Sequence, residues 1–418
     1  MARILLSNKN AQNAHLELPD VKAITTEQIE AKWQTPASGS RRLDATTFSN
    51  TAATLSINPI EVRVGNYSVT NSVDSAVKCL LCPKHCIIKE GRTGLCSARI
   101  NRGGRLYARF YGRPTALAIE PIEKKPLFHF LPGSSILSLG TRGCNLSCSF
   151  CQNWQLSQPL PYGTSIQNAL EPKKVVELAL QNNCPSVAFT YNEPTIWAEY
   201  VIDVAKLCKS NGIKTALVTN GIICEEARRE LYAIVDAANV DLKGFSQEFY
   251  HDLTGGELNV VKATLTHIAR ETSAWLEITN LIIPGHNDSL EEIGNMSRWI
   301  ANELGNEIPL HFSAFFPTHH LTTAPPTPPS KLFEAVEVAK SAGLVYVYCG
   351  NINDAESQST HCPQCGTPLI RRRGYKTSIM STFSSERNED QTVASSSQII
   401  REGRCQVCGK QIAGVFQQ

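Results

Sequence analysis

Three cysteines close together on one short loop constrain this chain more than any other feature. Cys144, Cys148 and Cys151 have the spacing C-x3-C-x2-C and follow an apolar run at 135–139 that predicts a strand. Thiolates at this spacing favour a metal cluster over a disulfide framework, because cysteines are the usual ligands of iron–sulfur clusters. A four-iron cluster held by three cysteines keeps one iron open, and a substrate or cofactor can bind there.

The chain as a whole is balanced in charge. Its 418 residues include 40 Lys and Arg against 38 Asp and Glu, for a net charge of +2. This balance predicts no strong attraction to nucleic acid or to a membrane, although Arg371, Arg372 and Arg373 form a possible local basic patch. No apolar run approaches the ~20 residues that span a bilayer, and the first residues resemble neither a signal peptide nor a transit peptide. We therefore expect a soluble, cytoplasmic protein.

Two further sets of four cysteines indicate additional metal sites. Fifteen cysteines are many for an intracellular chain unless they bind something. The N-terminal set, Cys79, Cys82, Cys86 and Cys96, has the spacing C-x2-C-x3-C-x9-C. The C-terminal set, Cys362, Cys365, Cys405 and Cys408, forms two C-x-x-C-G pairs that are typical of a zinc ribbon. Zinc or an auxiliary iron–sulfur cluster suits the first set, and zinc or mononuclear iron suits the second.

Four cysteines remain outside these sets. They are Cys184, Cys208, Cys224 and Cys349. Free cysteine is often a small buried apolar residue, so we expect no ligand at these positions.

Strand-like and helix-like runs alternate from residue 135 to about residue 350. The predicted strands cover residues 135–139, 186–189, 214–219, 238–242, 276–283, 310–315 and 344–348. Between them Ile196, Tyr200 and Val204 repeat at helical spacing, and Pro329 suits the first turn of a later helix. This alternation predicts parallel βαβ units and an α/β fold, a partial (βα)6 TIM-like barrel.

Polar residues lie at the ends of the predicted strands, where barrel enzymes gather their chemistry. Glu193, Asn220, Asp241 and Lys243 follow three successive strands, and His311 lies on the sixth. Each has a simpler reading, since Asn220 with Gly221 is also a turn sequence and Asp241 with Lys243 could be an ordinary ion pair. Their agreement with the strand ends favours a common site.

The remaining segments complete the predicted domain organisation. Residues 1–73 are interpreted as a partly disordered extension with a linker at 36–40, and 74–134 as a cysteine-rich segment. The core barrel covers 135–352. A small zinc-ribbon-like module covers 353–418, with a polar insertion near 384–397 that we interpret as a disordered loop. His129, between two phenylalanines in a stretch that reads as a loop, is expected to be a buried structural histidine.

The cysteine loop resembles the signature of radical S-adenosylmethionine (SAM) enzymes, C-x3-C-x-aromatic-C, with Phe150 in the aromatic position. The resemblance implies a [4Fe–4S] cluster on Cys144, Cys148 and Cys151. In this family SAM binds the open iron through its amino and carboxylate groups. The reduced cluster then cleaves SAM to a 5′-deoxyadenosyl radical, which needs a strongly reducing electron, within the range that iron–sulfur clusters reach.

The core is similar to the branch of radical SAM enzymes that includes pyruvate formate-lyase activating enzyme. Glu193 matches the glutamate of that branch's Gly-Gly-Glu-Pro motif, which receives the SAM amino group, while Tyr191 and Asn192 replace the glycines. Asp241 and Lys243 match an Asp-Leu-Lys motif that serves the SAM ribose. The resemblance therefore implies that these three charged residues hold SAM.

Two further positions compare differently with that branch. His311 is similar to a late-strand histidine near the adenosyl part of SAM. The arginine for the SAM carboxylate has no counterpart, because Thr279 and Asn280 occupy its region. The expected cofactor-binding residues are therefore Phe150, Glu193, Asn220, Asp241, Lys243 and His311.

A narrower resemblance covers residue 75 to the end, apart from the polar insertion. The Cys79–Cys86 motif, the stretch at 123–133, the sequence at 190–194 and the C-terminal cysteine pairs are together similar to the AmmeMemoRadiSam system radical SAM enzyme. This resemblance implies an association with a Memo-type and an AMMECR-type protein. We also expect a flavodoxin- or ferredoxin-like electron donor. The resemblance does not indicate a substrate.

The leading hypothesis is therefore a radical SAM enzyme that removes hydrogen from an unknown substrate. Within that class the alternative is an activase that creates a glycyl radical in a partner enzyme. The absence of a ferredoxin-type cysteine insert disfavours that alternative. A different class is a non-enzymatic zinc-binding adaptor, and an electron carrier is a further option that does not explain the polar residues at the strand ends.

Overall fold

The computed structural model of the protein describes residues 29–36, 62–64, 67–69, 76–159, 169–388, 391–398 and 400–416. The predicted linker at 36–40 lies outside the described residues except for Pro36, as does most of the predicted extension.

Short strands precede and follow one large sheet. Before it lie β1 (Gln34–Pro36), β2 (Val62–Val64), β3 (Tyr67–Val69), β4 (Val77–Cys79), β5 (Ile87–Ile88), β6 (Arg99–Arg102) and β7 (Arg105–Ala108). The large sheet comprises β8 (Ala116–Pro121), β9 (Ser135–Gly140), β10 (Ser186–Phe189), β11 (Lys214–Thr219), β12 (Ala237–Asp241), β13 (Trp275–Ile282), β14 (Leu310–Ala314) and β15 (Val347–Gly350). After it lie β16 (Thr360–His361), β17 (Pro368–Arg373), β18 (Lys376–Ile379), β19 (Ser381–Asn388), β20 (Gln391–Gln398), β21 (Ile400–Arg401) and β22 (Arg404–Cys405).

The helices lie mainly between the strands of the large sheet. They are α1 (Trp154–Ser157), α2 (Pro172–Gln181), α3 (Ala198–Ser210), α4 (Glu225–Tyr232), α5 (Gln247–Phe249), α6 (Leu258–Glu271), α7 (Leu290–Trp299) and α8 (Pro329–Ser341). Short 3₁₀-helices cover Ile122–Lys124 and Pro194–Trp197, and π-helical turns cover Tyr250–Thr254 and Ile300–Leu304.

Strands β9 to β15 are parallel neighbours in chain order, and β8 pairs antiparallel with β9 at one edge. Each parallel step needs a crossover, and helices fill the crossovers between these strands. The predicted α/β fold, a partial TIM-like barrel, is confirmed. Strands β10 and β11 have the predicted bounds, and each has an apolar centre that is buried in the sheet.

A segment that enters the barrel from its N-terminal end fills that end. We call residues 123–133 the plug. Leu127, Phe130 and Leu131 pack against small residues on three neighbouring strands, namely Ala188, Ala216 and Ala237. The small strand residues leave the volume that the plug side chains occupy, so this end of the barrel is a packed core.

His129 of the plug is buried, as predicted, and has partners on both ring nitrogens. Nδ1 donates to the carbonyl oxygen of Ala413 at 2.6 Å, and the Tyr348 hydroxyl donates to Nε2 at 2.6 Å. The backbone N–H groups of Phe128 and His129 donate to the carboxylate of Glu277 on β13, at 2.9 and 2.8 Å. These contacts fix the plug to the barrel and to the C-terminal module.

The described part of the N-terminal extension packs on the cysteine-rich segment. Strand β1 pairs antiparallel with β4, which ends in Cys79. Trp33 is buried in the main hydrophobic core, and the Ala31 N–H donates to the carbonyl of Leu106 at 2.7 Å. Residues 29–36 therefore belong to the folded structure.

The C-terminal module is a small sheet, β16 to β18, with the hairpin β21–β22. Arg372 on β17 is buried. Its guanidinium donates to the Phe128 carbonyl at 2.7 Å and lies 3.5 Å from the Glu123 carboxylate. The guanidinium also lies 4.2 Å from the centroid of the Phe128 ring. Arg371 and Arg373 point to solvent. Because β17 alternates, only two of the three arginines remain available for a basic patch.

The polar insertion differs from its interpretation as a disordered loop. Strands β19 and β20 pair antiparallel over Ser381–Asn388 and Gln391–Gln398. Overall composition pointed to disorder, but Thr382, Phe383, Thr392 and Val393 are residues that favour strands. Antiparallel pairing with a short connection needs no large apolar face to satisfy the backbone.

None of the helices described is long and apolar enough to span a membrane.

Candidate functional site

The cysteine loop follows β9 and is held by neighbours on both sides. Asn192 accepts from the Thr141 N–H at 3.1 Å and donates to the Gly143 carbonyl at 2.8 Å. On the other side the N–H groups of Ser147 and Ser149 donate to the carbonyls of Thr254 and Leu253, both at 2.9 Å. These bonds fix the backbone on which the three cysteines lie.

The three thiols of this loop are partly buried. Burial, with the nearby Glu193 carboxylate, raises the pKa of Cys144 well above its usual range, and burial raises the pKa of Cys148 to about 11. Cys144 Sγ nevertheless faces two donors, the Leu146 N–H at 3.4 Å and the Asn220 amide at 3.7 Å. Thiols in such a place become thiolates when a metal binds them, so the donor set fits an iron–sulfur cluster.

Glu193 lies beside Cys144 with its carboxylate buried and fully oriented. Oε1 accepts from the Thr195 N–H at 2.8 Å and from the Thr219 hydroxyl at 2.7 Å, and Oε2 accepts from the Asn220 N–H at 2.8 Å. Burial raises its pKa, although these hydrogen bonds oppose the shift. Within the described residues it has donors but no Lys or Arg ion-pair partner, so this carboxylate fits a cationic group of a ligand.

Asn220 connects the end of β11 to the cysteine loop. Its amide nitrogen donates to Asn145 Oδ1 at 2.9 Å, and the Asn145 amide donates to the Ile222 carbonyl at 2.7 Å. The Ile222 N–H in turn donates to Asn220 Oδ1 at 2.9 Å. Asn220 is thus a turn residue, as its Asn-Gly sequence indicates, and also a direct neighbour of Cys144.

Asp241 and Lys243 form the ion pair that the sequence allowed, at 2.8 Å. Burial disfavours the charged ammonium, but Asp241 and the nearby Cys148 raise the pKa of Lys243 above its usual range. Lys243 is therefore a cation beside the cysteine loop. The structure brings together the cysteine loop with Glu193, Asn220, Asp241 and Lys243.

Phe150 and His311 face packed surroundings. Phe150 is buried, with its ring 5.9 Å from that of Phe249. His311 Nε2 lies 2.7 Å from the Glu277 carboxylate, and its ring is 4.7 Å from Phe128 of the plug. His311 is thus placed between the plug and the strands, and its predicted contact with SAM stays a prediction.

Glu277 is a buried charged residue that the sequence did not lead us to expect at the site. It is fully buried and accepts bonds from the plug, from His311 and from the Trp275 indole. Glu277 is the one charged residue within β13, between the apolar Leu276 and Ile278, and this was the available signal. Thr279 and Asn280 occupy the region where the pyruvate formate-lyase activating enzyme branch has an arginine. The Thr279 hydroxyl donates to Asn239 Oδ1, and the Asn280 amide donates to the Leu242 carbonyl.

The N-terminal cysteine set lines one cavity next to the loop. The cavity is bounded by all four of its thiols and by Asn145, Ile196 and Arg99, among others. Arg99 is buried and pairs with Glu199 at 2.8 Å. The four cysteines therefore share one cavity, although their sulfur atoms do not all lie within 4.8 Å of one another.

The C-terminal cysteine set has the geometry of a single-ion site. Its four sulfur atoms lie within 4.8 Å of one another, and Cys362 to Cys408 is 3.5 Å. A tetrahedral ion with Zn–S bonds of about 2.3 Å separates its sulfurs by ~3.8 Å. The Thr367 hydroxyl and N–H lower the pKa of Cys365 to about 6, which favours the thiolate that a metal needs.

Both halves of this module share one turn geometry. The Gly366 N–H donates to the Cys362 carbonyl at 2.9 Å, and the Gly409 N–H donates to the Cys405 carbonyl at 2.8 Å. Both glycines have positive φ, 70° and 76°. The Cys-rich cluster therefore fits a zinc-ribbon-like module.

Comparison with known proteins identifies a family for the part of the chain that carries the cysteine loop. Residues 138–300 match the family model described as the radical SAM superfamily. The chain is 40% identical over 343 residues to an uncharacterized protein of Methanocaldococcus jannaschii, covering 81% of this chain and 96% of that protein. It is 28% identical over 170 residues to the pyruvate formate-lyase-activating enzyme of Clostridium pasteurianum, covering 38% of this chain and 67% of that enzyme.

Among solved structures, the chain is similar to a radical SAM methyltransferase from Sphaerobacter thermophilus. The TM-score is 0.42 at 14% identity, and the match covers 57% of this chain and 71% of that one. The family match includes the cysteine loop and the strand ends that carry Glu193, Asn220, Asp241 and Lys243. The chain thus carries a radical SAM domain over residues 138–300.

Proposed function

We propose that this protein cleaves SAM reductively at a [4Fe–4S] cluster on Cys144, Cys148 and Cys151, and removes a hydrogen atom from an unknown substrate. The observation that carries the proposal is the convergence of polar side chains from the ends of β10, β11 and β12 on the cysteine loop. When bound, the reduced cluster supplies the one electron that cleaves the SAM sulfonium to methionine and a 5′-deoxyadenosyl radical.

The chain's own residues bind and orient SAM in this proposal. Glu193, held by three hydrogen bonds and without a Lys or Arg partner in the part of the chain that the structure describes, accepts a hydrogen bond from the ammonium group of SAM. The partly exposed Asp241 accepts the ribose hydroxyls. Lys243 places a positive charge beside Cys148 and so favours its thiolate. The packed plug keeps water out of the opposite end of the barrel.

The test is SAM cleavage by the anaerobically reconstituted and reduced protein. We expect 5′-deoxyadenosine and methionine from the wild type, and neither product from Cys148→Ala. Cys184→Ala, a buried cysteine outside the three sets, is the matched control and retains cleavage. Equal product from Cys148→Ala and the wild type contradicts the proposal.

The narrower assignment is to the AmmeMemoRadiSam system, with Memo-type and AMMECR-type proteins as partners. Its support is the combination of both accessory cysteine sets with the plug in one chain. We place the enzyme in the cytoplasm, where its fifteen free cysteines stay reduced. Co-purification of tagged protein with the two partner types tests the assignment, and recovery of neither from cells that express both contradicts it.

A second candidate is the activation of a glycyl radical enzyme. It is favoured by the similarity to the activating enzyme of Clostridium pasteurianum and to an activating enzyme for 4-hydroxyphenylacetate decarboxylase from Clostridioides difficile. A glycyl radical detected by electron paramagnetic resonance on a co-expressed partner supports this candidate over the first.

The C-terminal set is assigned to zinc in this proposal. Its support is the spacing of the four sulfurs and the twofold repeated turn. Metal analysis tests it: one zinc per chain is expected, lost in Cys405→Ser. Zinc at all three sets without iron would instead support the adaptor function.

A further inference from the structure

The N-terminal cysteines are held around a shared cavity by local backbone structure. The Cys79 N–H donates to the Cys86 carbonyl at 2.9 Å, which closes the turn that carries Cys82. The Gly94 N–H donates to the Arg99 carbonyl at 3.1 Å and brings Cys96 back to the turn. A Cβ on Gly94 would lie 3.4 Å from Cys86 Sγ, so glycine keeps space open beside that sulfur.

The spacing of these four sulfurs differs from that of the C-terminal set. Among the residues that the structure describes, the C-terminal set is the one group of three or more Cys, His, Asp or Glu with all ligand atoms within 4.8 Å. The N-terminal four share a cavity but are spread more widely. In a four-iron cluster each thiolate binds a different iron, so the sulfurs stand further apart than around one zinc ion.

This cavity is in direct contact with the radical SAM loop. Gly143, which precedes Cys144, has φ 88°, and a Cβ there would lie 2.0 Å from the carbonyl oxygen of Cys96. Asn145, which follows Cys144, lines the cavity of the four N-terminal thiols. Gly143 therefore lies against Cys96, and Asn145 faces the cavity that the second cysteine set lines.

The outer side of the cavity faces solvent with a distinctive surface. Ile87 and Leu95 are 65% and 66% exposed although both are apolar. Lys84, Lys89 and Arg92 in the same segment are also exposed, with Glu90 as an exposed acidic residue among them. Exposed apolar side chains next to three basic residues and one acidic residue fit an acidic protein partner.

We propose that Cys79, Cys82, Cys86 and Cys96 bind an auxiliary [4Fe–4S] cluster through which an acidic, one-electron donor protein reduces the radical SAM cluster. This inference rests on the proposed function, since the second cluster has a role only if the first one cleaves SAM. One electron passes from a reduced flavodoxin- or ferredoxin-type protein to the auxiliary cluster, and the same electron passes to the radical SAM cluster. The auxiliary cluster returns to its oxidised state, and no atom or proton is transferred.

The first test counts metals and needs no SAM chemistry. After anaerobic reconstitution we expect about eight iron and eight sulfide per wild-type chain and about four of each in the Cys144→Ala/Cys148→Ala/Cys151→Ala variant. Adding Cys82→Ser and Cys86→Ser removes the rest, whereas Cys184→Ala retains the full count. About four iron and a second zinc in the wild type would overturn the proposal without any variant.

The second test measures electron entry by stopped-flow absorbance. In Cys82→Ser/Cys86→Ser, reduction of the radical SAM cluster by reduced flavodoxin should slow at least tenfold. Lys89→Glu should raise the flavodoxin concentration needed for half-maximal rate, while Lys209→Glu, exposed at the far end of α3, should not. An unchanged rate in the double variant overturns the relay. If instead the wild type makes no 5′-deoxyadenosine with dithionite, the proposed function fails while the metal count stands.

Discussion

The carboxylate of Glu193 accepts a hydrogen bond of 2.8 Å from the backbone N–H of Asn220, which joins the ends of two neighbouring strands. The Asn220 side chain at the same time faces Cys144 Sγ at 3.7 Å. The predicted anchor of the SAM amino group and the first cysteine of the cluster loop are thus linked through one residue. A change at Glu193 should affect both strand ends and the ligand.

Glu193→Gln should weaken SAM binding and lower stability. The amide removes the charge offered to the SAM ammonium, and charge-assisted hydrogen bonds are worth about 1.5–3 kcal/mol, which corresponds to roughly a tenfold to hundredfold rise in Kd. Calorimetric titration of SAM into the reconstituted protein measures the change. Glu123→Gln, another buried carboxylate but in the plug, is the control that should destabilise without altering SAM affinity. Equal losses of affinity in both variants would contradict this role for Glu193.

Gly143→Ala should disrupt the contact between the two cysteine sets. A Cβ would meet the Cys96 carbonyl at 2.0 Å, and the positive φ adds strain of about 1–2 kcal/mol. Gly103→Ala is the matched control, because Gly103 has φ 61° but nothing within 4 Å of the added atom. We expect Gly143→Ala to bind less than half the iron and Gly103→Ala to bind all of it. Full iron content in both would show that the contact is dispensable.

Acid should destabilise the protein through His129. Burial lowers its pKa to about 4 from 6.5; Arg372 and His311 act in the same direction and Glu277 opposes them. The unfolded chain therefore takes up a proton as pH falls from 6.5 towards 4 and the folded chain does not. The free energy of unfolding should fall across this window, by on the order of 3 kcal/mol in total.

Denaturant unfolding at several pH values checks this prediction. His129→Gln should flatten the slope between pH 6.5 and 5, and His251→Gln, exposed on the surface, should leave it unchanged. Glu277 acts lower: burial opposes its charge, but its hydrogen bond with His311 lowers its pKa, so its contribution is lost only below about pH 4.5. A wild-type slope in His129→Gln would refute the assignment.

Arg372→Met should loosen the C-terminal module. It removes the donor to the Phe128 carbonyl and leaves Glu123 buried without its cation, which typically costs about 3–5 kcal/mol. Its neighbours on the same strand, Arg371→Met and Arg373→Met, should change stability by less than about 0.5 kcal/mol because both are exposed. Chemical unfolding and limited proteolysis distinguish the three variants. Similar behaviour of all three would exclude a special role for Arg372.

The strands were predictable where burial leaves a simple pattern. Residues 186–189 and 214–219 were predicted to the residue, because each has an apolar centre and β-branched residues that favour a strand buried within a parallel sheet. The last strand begins at Val347 and not at the predicted Leu344. The Leu344 N–H donates to the Ala339 carbonyl at 3.2 Å, so Leu344 completes the end of α8. A short apolar run between a helix and a strand does not reveal which of the two elements its residues join.

The sequence indicated which side chains meet at the cysteine loop, but it did not indicate which residues they or other buried charges pair with. Glu193, Asn220, Asp241 and Lys243 meet at the cysteine loop, because the carboxyl ends of parallel strands share one end of the barrel. The partners of Glu277 and Arg372 were not predictable, since Arg372 and Glu123 are separated by 249 positions. Such pairings depend on tertiary folding and leave no local pattern.

The plug also sets an order in time. His129 is held by a carbonyl 284 residues further along the chain, and the Val415 N–H donates back to the His129 carbonyl at 2.7 Å. When β15 has been synthesised, every strand of the large sheet exists. The residues that hold the plug, Ala413 and Val415, have not yet been made. Contacts of this sequence separation form slowly. During synthesis the barrel end that carries the cysteine loop is therefore complete before the plug is fixed at the opposite end.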